Sequence, residues 1–313
     1  RTVNLKSNGL WIVLGVALVA SLWASEARAA KGSFEQTLSV DEPIVLDVST
    51  GSGSISIEAG AVDRVEIIGH VKVGNSWFRR SEDNAQELLD RILAEPPIDM
   101  DGDSLRVGYL KGRGLKGNIS ISYEITVPAT TRVKSDTGSG SMTIEGVAEI
   151  IEADSGSGSV TLNNISGSAF ADTGSGSIRA NGIAGAFTGD TGSGSITLTQ
   201  SGPGDVRVST GSGSIELHNI DGALHARAGS GRISVDGRQR GTWDIDTGSG
   251  SVQIDLPDDA AFQLDAESSS GSIVIDHPVM VQGKISKRHI RGDVRGGGDL
   301  LRIDTSSGGI RVN

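Results

Sequence analysis

Aliphatic residues recur at every second position over short stretches of this chain, each stretch ends at a glycine-serine turn, and the cycle then restarts. After Gly138, Met142 and Ile144 alternate with Ser141, Thr143 and Glu145, so one face of a strand is apolar and the other polar. Alternation resumes at Ile151 and Ala153 before Asp154-Ser155 leads into the next turn. The pattern predicts two short strands per repeat. One inward column runs through Ile55, Met142, Val160, Ile178, Ile196, Ile215, Ile233, Val252, Ile273 and Ile310. The next holds Ile57, Ile144, Leu162, Ala180, Leu198, Leu217, Val235, Ile254, Ile275 and Val312. Return strands contribute Ile151, Ala169, Ala171, Phe187, Val206, Val208, Leu224, Ala226, Trp243 and Ile245.

The turns themselves repeat as Gly-Ser-Gly-Ser or a close variant, beginning at Gly51, Gly138, Gly156, Gly174, Gly192, Gly211, Gly229, Gly248, Ser269 and Ser306. From Gly138 onward they step by 18, 18, 18, 19, 18, 19, 21 and 37 residues. Such a period predicts an all-β, parallel β-solenoid, β-helix-like, with about 18–19 residues per coil. The step of 37 reads as two coils, one of them degenerate. A single coil has too few apolar side chains to stand alone, so coils must stack at about 4.8 Å, each supplying backbone partners to the next. Glycine fits a corner that needs positive φ or close approach of neighbouring backbones.

An 87-residue gap separates the Gly51 copy from the regular array. Within it residues 64–73 alternate like a strand, and Ala85, Leu88, Leu89, Ile92 and Leu93 share one helical face before Pro96-Pro97. This predicts one inserted α-helix over about 81–94, covering an end or a flank of the solenoid. Further strands are expected from Ser104 and over 119–127. The predicted organisation is a signal segment over 1–29, an N-terminal part of the solenoid with its helical insertion over 30–134, and the regular repeats over 135–313, continuous with that part.

Arg1 and Lys6, the apolar run from Leu10 to Ala24 and the Ala27-Arg28-Ala29 site are the marks of a secretory signal. They predict an exported chain, periplasmic, on the outer surface or secreted, with the segment either cleaved or kept as an anchor. Cysteine is absent, so neither disulfides nor thiol-linked lipid can form. Loss of 1–29 removes Arg1, Lys6, Arg28 and Glu26, leaving 25 Lys and Arg against 38 Asp and Glu. A surface of that sign is a poor partner for nucleic acid.

The run Ile121-Ser-Tyr-Glu-Ile-Thr-Val-Pro128, then Val133, then Asp136-Thr-Gly-Ser-Gly-Ser-Met-Thr-Ile144, resembles the bacterial "putative-adhesin" domain family. The resemblance covers nearly all of the chain beyond residue 29. It implies an exported β-solenoid of the envelope, with a role in adhesion or envelope maintenance, and it carries over no catalytic residues.

Asp136, Asp154, Asp172 and Asp190 occupy one position in four successive coils, just before the turn. Exposed carboxylates at strand spacing repel by about 1 kcal/mol in water-like dielectric, so something should offset the row. Each Asp can accept N–H bonds from its own turn, or the row can hold Ca²⁺, although its spacing differs from the calcium-binding solenoid repeat. The column lapses at Ser209 and Arg227 and returns at Asp246. His70, His218, His225, His277 and His289 have no ligand-like spacing. Trp77-Phe78-Arg79-Arg80 reads as a contact anchor or as a plug for the end of the core. Lys284, Lys287, Arg288, Arg291 and Arg295 form a basic cluster that includes an Arg291-Gly292-Asp293 tripeptide.

No cofactor is expected. The favoured function is a non-enzymatic, adhesin-like binding or structural solenoid of the envelope, with an envelope polymer or protein surface as partner and self-association through the solenoid ends. The alternative is a polysaccharide-acting enzyme, by fold analogy. An ice-binding face is disfavoured, because the outward column Thr143, Thr161, Arg179, Thr197, Glu216, Ser234, Gln253 is irregular.

Overall fold

The computed structural model describes residues 30–40, 43–74, 82–110, 119–281 and 286–313. Each coil contributes one strand before its turn and one after it, and these stack into two faces of parallel strands, here the pre-turn and post-turn sheets. In the pre-turn sheet Ile151–Ser155 lies between Arg132–Thr137 and Ala169–Thr173. In the post-turn sheet Val160–Ile165 lies between Met142–Glu145 and Ile178–Ile183. The pairing is residue on residue, Ala153 against Ser135 and Ala171, Val160 against Met142 and Ile178. The inward columns and the return-strand residues fill the core, where Met142, Ile196, Ile233 and Trp243 are fully buried, while Ile273 and Ile275 are only partly buried against it. Ile215–Ala228 and Ile233–Thr247 run unbroken round the corner between the sheets, with register shifts there.

The turns are shaped by contact between coils. None of the paired turn glycines is among the positive-φ residues. A Cβ on Gly158 would sit 1.7 Å from the carbonyl oxygen of Gly140, and one on Gly250 1.7 Å from that of Gly231. Close approach, not unusual φ, therefore demands glycine here. The same carbonyls accept hydrogen bonds from a buried hydroxyl. Thr173 Oγ1 donates to Gly158 O at 2.8 Å and accepts from Gly176 N–H at 3.1 Å. Thr191 repeats this with Gly176 O and Gly194 N–H, and Ser155 with Gly140 O and Gly158 N–H.

At both ends the order of coils departs from the order of sequence. The coil of Gly51 is second, because Ser104–Val107 and Ile119–Val127 pair outside it while Arg132–Thr137 and Met142–Glu145 pair inside. At the other end Asp299–Thr305 lies between Ile233–Thr247 and Phe262–Ser268, and Ile310–Val312 between Val252–Asp255 and Ile273–Ile275. The coil of Ser306 thus precedes that of Ser269 in the stack. This corrects the reading of the step of 37 residues: among the described residues no degenerate coil intervenes. The span instead holds Val279–Val281 and His289–Val294, which add antiparallel strands beyond Phe262–Ser268. Antiparallel strands also finish the N-terminal end, where Arg64–Val73 pairs with Ile119–Val127 and Ala30–Ser39 pairs with Arg64–Val73.

The helix, Glu82–Ala94, packs on Ala30–Ser39 and Arg64–Val73. Ala85, Leu89 and Ile92 are buried beneath it, and Leu89 and Leu93 crowd Gly32, where a Cβ would meet Leu93 Cδ1 at 2.8 Å.

Two comparisons test this account. Gly158→Ala should cost about 3 kcal/mol or more, whereas Gly51→Ala, with nothing within 4 Å of the new carbon, should change stability by less than about 1 kcal/mol. Ile196→Asp buries a charge and should cost about 4 kcal/mol or more; outward-facing Thr197→Asp should stay near 1 kcal/mol or below. Denaturant unfolding of the four variants measures all of these.

Candidate functional site

The outer face of the pre-turn sheet carries the most ordered set of surface groups. Pairing places Asp154 opposite Asp136 and Asp172, and Asp172 opposite Asp190, so the four carboxylates form one row at strand spacing. Two residues back along each strand, Lys134, Glu152, Phe170 and Thr188 form a parallel row. Together the rows line a groove of about 620 Å³. Phe170 stands in it 47% exposed, unusual for a large aromatic side chain. Alternation explains its exposure: Ala169 and Ala171 point into the core.

The row places like charges on both sides of Asp172. Partial burial, followed by the charges of Asp154 and Asp190 on the flanking coils, raises the pKa of Asp172 above the ordinary aspartate value. The turn amides are not what compensates it. They bond to the hydroxyl one residue further on, as Gly176 N–H does to Thr173 and Gly194 N–H does to Thr191. This corrects the expectation that each Asp accepts from its own turn: Asp faces outward, and only the inward Thr or Ser reaches the amide. Ser49 Oγ lies 3.3 Å from Asp136 Oδ1. Among the described residues no three His, Asp or Glu side chains converge as a metal ion requires.

Along the sheet the acidic column passes Ser209 and Arg227, then continues through Asp246, Asp304 and Glu267. Sequence order hides that neighbourhood, because Asp304 comes from the intercalated coil. Histidines also find carboxylate partners, on a neighbouring strand except for Glu216, which shares the strand of His218. His218 Nδ1 lies 2.6 Å from Asp236 and its Nε2 3.3 Å from Glu216; His225 lies 3.2 Å from Asp244, His289 3.0 Å from Asp265, and His70 3.2 Å from Glu124. The hydrogen bond to Asp236 raises the pKa of His218, against the opposing effect of burial and with help from both carboxylate charges. His277 is buried against the Phe262 ring edge, with its Nδ1 3.3 Å from Arg295.

The basic cluster is partly neutralised. Arg291 and His289 both bond Asp265, and they hold its carboxyl below the ordinary aspartate range although burial pushes the other way. Arg291-Gly292-Asp293 lies inside a paired strand, not on a loop. Trp77, Phe78, Arg79 and Arg80 lie outside the described residues, as does Lys284.

Two titrations follow. Above its raised folded pKa, ionised Asp172 weakens the fold, so Asp172→Asn should raise the melting temperature at about pH 7, with the gain fading at about pH 3. His218 has the opposite sign. Its contribution is complete below the unfolded value of 6.5 and disappears as pH rises through the higher folded value. Melting of His218→Gln should therefore fall further behind the parent at about pH 5 than at about pH 8.

The family model described as Toastrack DUF4097 matches residues 104–313, a span that contains the motif run 121–144 and the whole regular array. Two solved structures are similar over most of their length. One is a putative cell adhesion protein from Clostridium sporogenes, with 13% identity, 89% of this chain and 97% of that one covered, and a TM-score of 0.21. The other is a putative adhesin from Bacteroides fragilis, with 13% identity, 91% and 98% covered, and a TM-score of 0.39. No curated protein matches the chain. With its solenoid of stacked Gly-Ser turns and a family model covering well over half its length, the chain belongs to the Toastrack DUF4097 family.

Proposed function

We propose that this protein is an exported, adhesin-like solenoid of the cell envelope that acts by extended surface contact and not by turnover. The observation that carries the reading is the outer face of the pre-turn sheet, where Asp136, Asp154, Asp172 and Asp190 repeat in register beside Lys134, Glu152 and exposed Phe170. Catalysis needs a few dissimilar groups converging on one point. Near-identical coils present like groups in rows, which suits a polymer or a protein surface with its own repeat. A partner carrying positive charge would relieve the repulsion that adds to partial burial in raising the Asp172 pKa, and Phe170 would give it an apolar anchor. Export is supported by the signal-like segment over 1–29. Among the described residues no helix is long and apolar enough to cross a membrane.

The test is binding of the purified chain to a panel of envelope polymers, cationic and anionic, at two salt concentrations. Asp154→Asn with Asp172→Asn and, separately, Phe170→Ser should each weaken capture of the cationic members at least about tenfold, and capture should fall as salt rises. Equal binding by parent and variants would remove this face from the function. Release of cleaved glycan by the parent, lost on one carboxylate substitution, would replace contact with catalysis.

A further inference from the structure

The last coil occupies a level that the chain has already passed. After Asp255 the chain crosses residues 256–261, where 166–168 suffice between ordinary coils, and lays Phe262–Ser268 and Ile273–Ile275 two levels beyond Ile233–Thr247 and Val252–Asp255. The level left between them is filled only when Asp299–Thr305 and Ile310–Val312 return. The fit is complete on both sides. Thr305 Oγ1 donates to Gly250 O at 3.0 Å, Ser268 Oγ donates to Gly308 O at 2.9 Å, and Leu301, Ile303, Ile310 and Val312 are fully buried.

This coil differs from the interior ones in how it is tethered. It is entered through a turn in which Arg295, Gly296 and Gly297 have φ of 49°, 89° and 81°. Arg295 is held in a left-handed conformation that a side chain disfavours, and an extended linker would release it. For the coil to leave, its ladders to both neighbours must open and this linker must straighten; no later element of the described chain packs over it.

We infer that the level between the coils of Gly248 and Ser269 is an exchange site for a second copy of this chain, which inserts its own residues 299–313 there. The donated coil has the same sequence and register as the resident one, so every ladder bond and every buried side chain is recovered, and reciprocal donation closes a twofold dimer. This inference is independent of what the outer face binds. It puts self-association at an internal level of the stack instead of at the strand-capped ends.

The full chain tests it. Two preparations with different affinity tags are mixed, warmed to a few degrees below the melting midpoint, cooled and passed over both resins in turn. A species bearing both tags at twice the monomer mass is expected. Asp244 and Arg302 are register partners on adjacent parallel strands. Asp244→Cys with Arg302→Cys therefore introduces a sole pair of thiols within reach of a disulfide, since the natural chain has no cysteine. Oxidised as isolated monomer, this variant should lose the dual-tag species at least about tenfold, and reductant should restore it. Absence of the species from both the parent and the reduced variant, or equal yield with the bond closed, would overturn the exchange site.

Discussion

Successive turns of this solenoid approach until the carbonyl of one lies where the next has no room for a side chain, and the remaining order of the molecule depends on that contact. Gly140 O, Gly158 O and Gly176 O each stand within 2.0 Å of where the next coil would place a Cβ. Each also accepts a hydrogen bond from a buried Ser or Thr hydroxyl, whose oxygen takes up a turn amide of its own coil. Two backbone groups that water cannot reach are thereby satisfied by one side chain, and an unsatisfied pair would cost about 1–3 kcal/mol each. With coils locked at one spacing and one register, the aliphatic columns align inside. The same locking aligns like charges outside, so the Asp row exists, and those charges add to the partial burial that raises the pKa of Asp172.

Because every coil offers the same edges, sequence neighbours need not be spatial neighbours. The molecule exploits this at both ends, placing the coil of Gly51 inside one formed by later residues and the last coil inside one formed by earlier residues. Beyond these, antiparallel strands such as Ala30–Ser39 and Val279–Val281 terminate the parallel stack. A changed strand direction at an end interrupts the repeat that would otherwise template further coils.

The repeat period and alternation were enough to read the coil, its inward columns and the register of residues such as Asp154 and Asp172, since these follow from local spacing. The helix was equally readable from the spacing of Ala85, Leu89 and Ile92. Coil order was not: the Ser269 and Ser306 turns are interchangeable in pattern, and nothing local tells which neighbour each chooses. Thr173 and Asp172 are adjacent and both capable of bonding the turn, so alternation had to decide that Thr points inward. The His218–Asp236 contact was hidden for a similar reason, since the partners meet only through stacking of neighbouring coils. Phe170 is outward by the same alternation that turns Ala169 and Ala171 inward, but its place beside the Asp row emerges only from the pairing of neighbouring coils.

One coil provides a natural vacancy in the hydroxyl ladder. Ala228, buried, stands where Thr210 and Thr247 stand in the coils on either side. Equilibrium unfolding of Ala228→Thr beside Thr191→Ala is the most direct measure of whether the ladder holds the stack. A gain of about 1 kcal/mol for the first and a loss of about 2–3 kcal/mol for the second are predicted. Two variants indistinguishable from the parent would contradict the account and return the stability of the stack to its aliphatic columns alone.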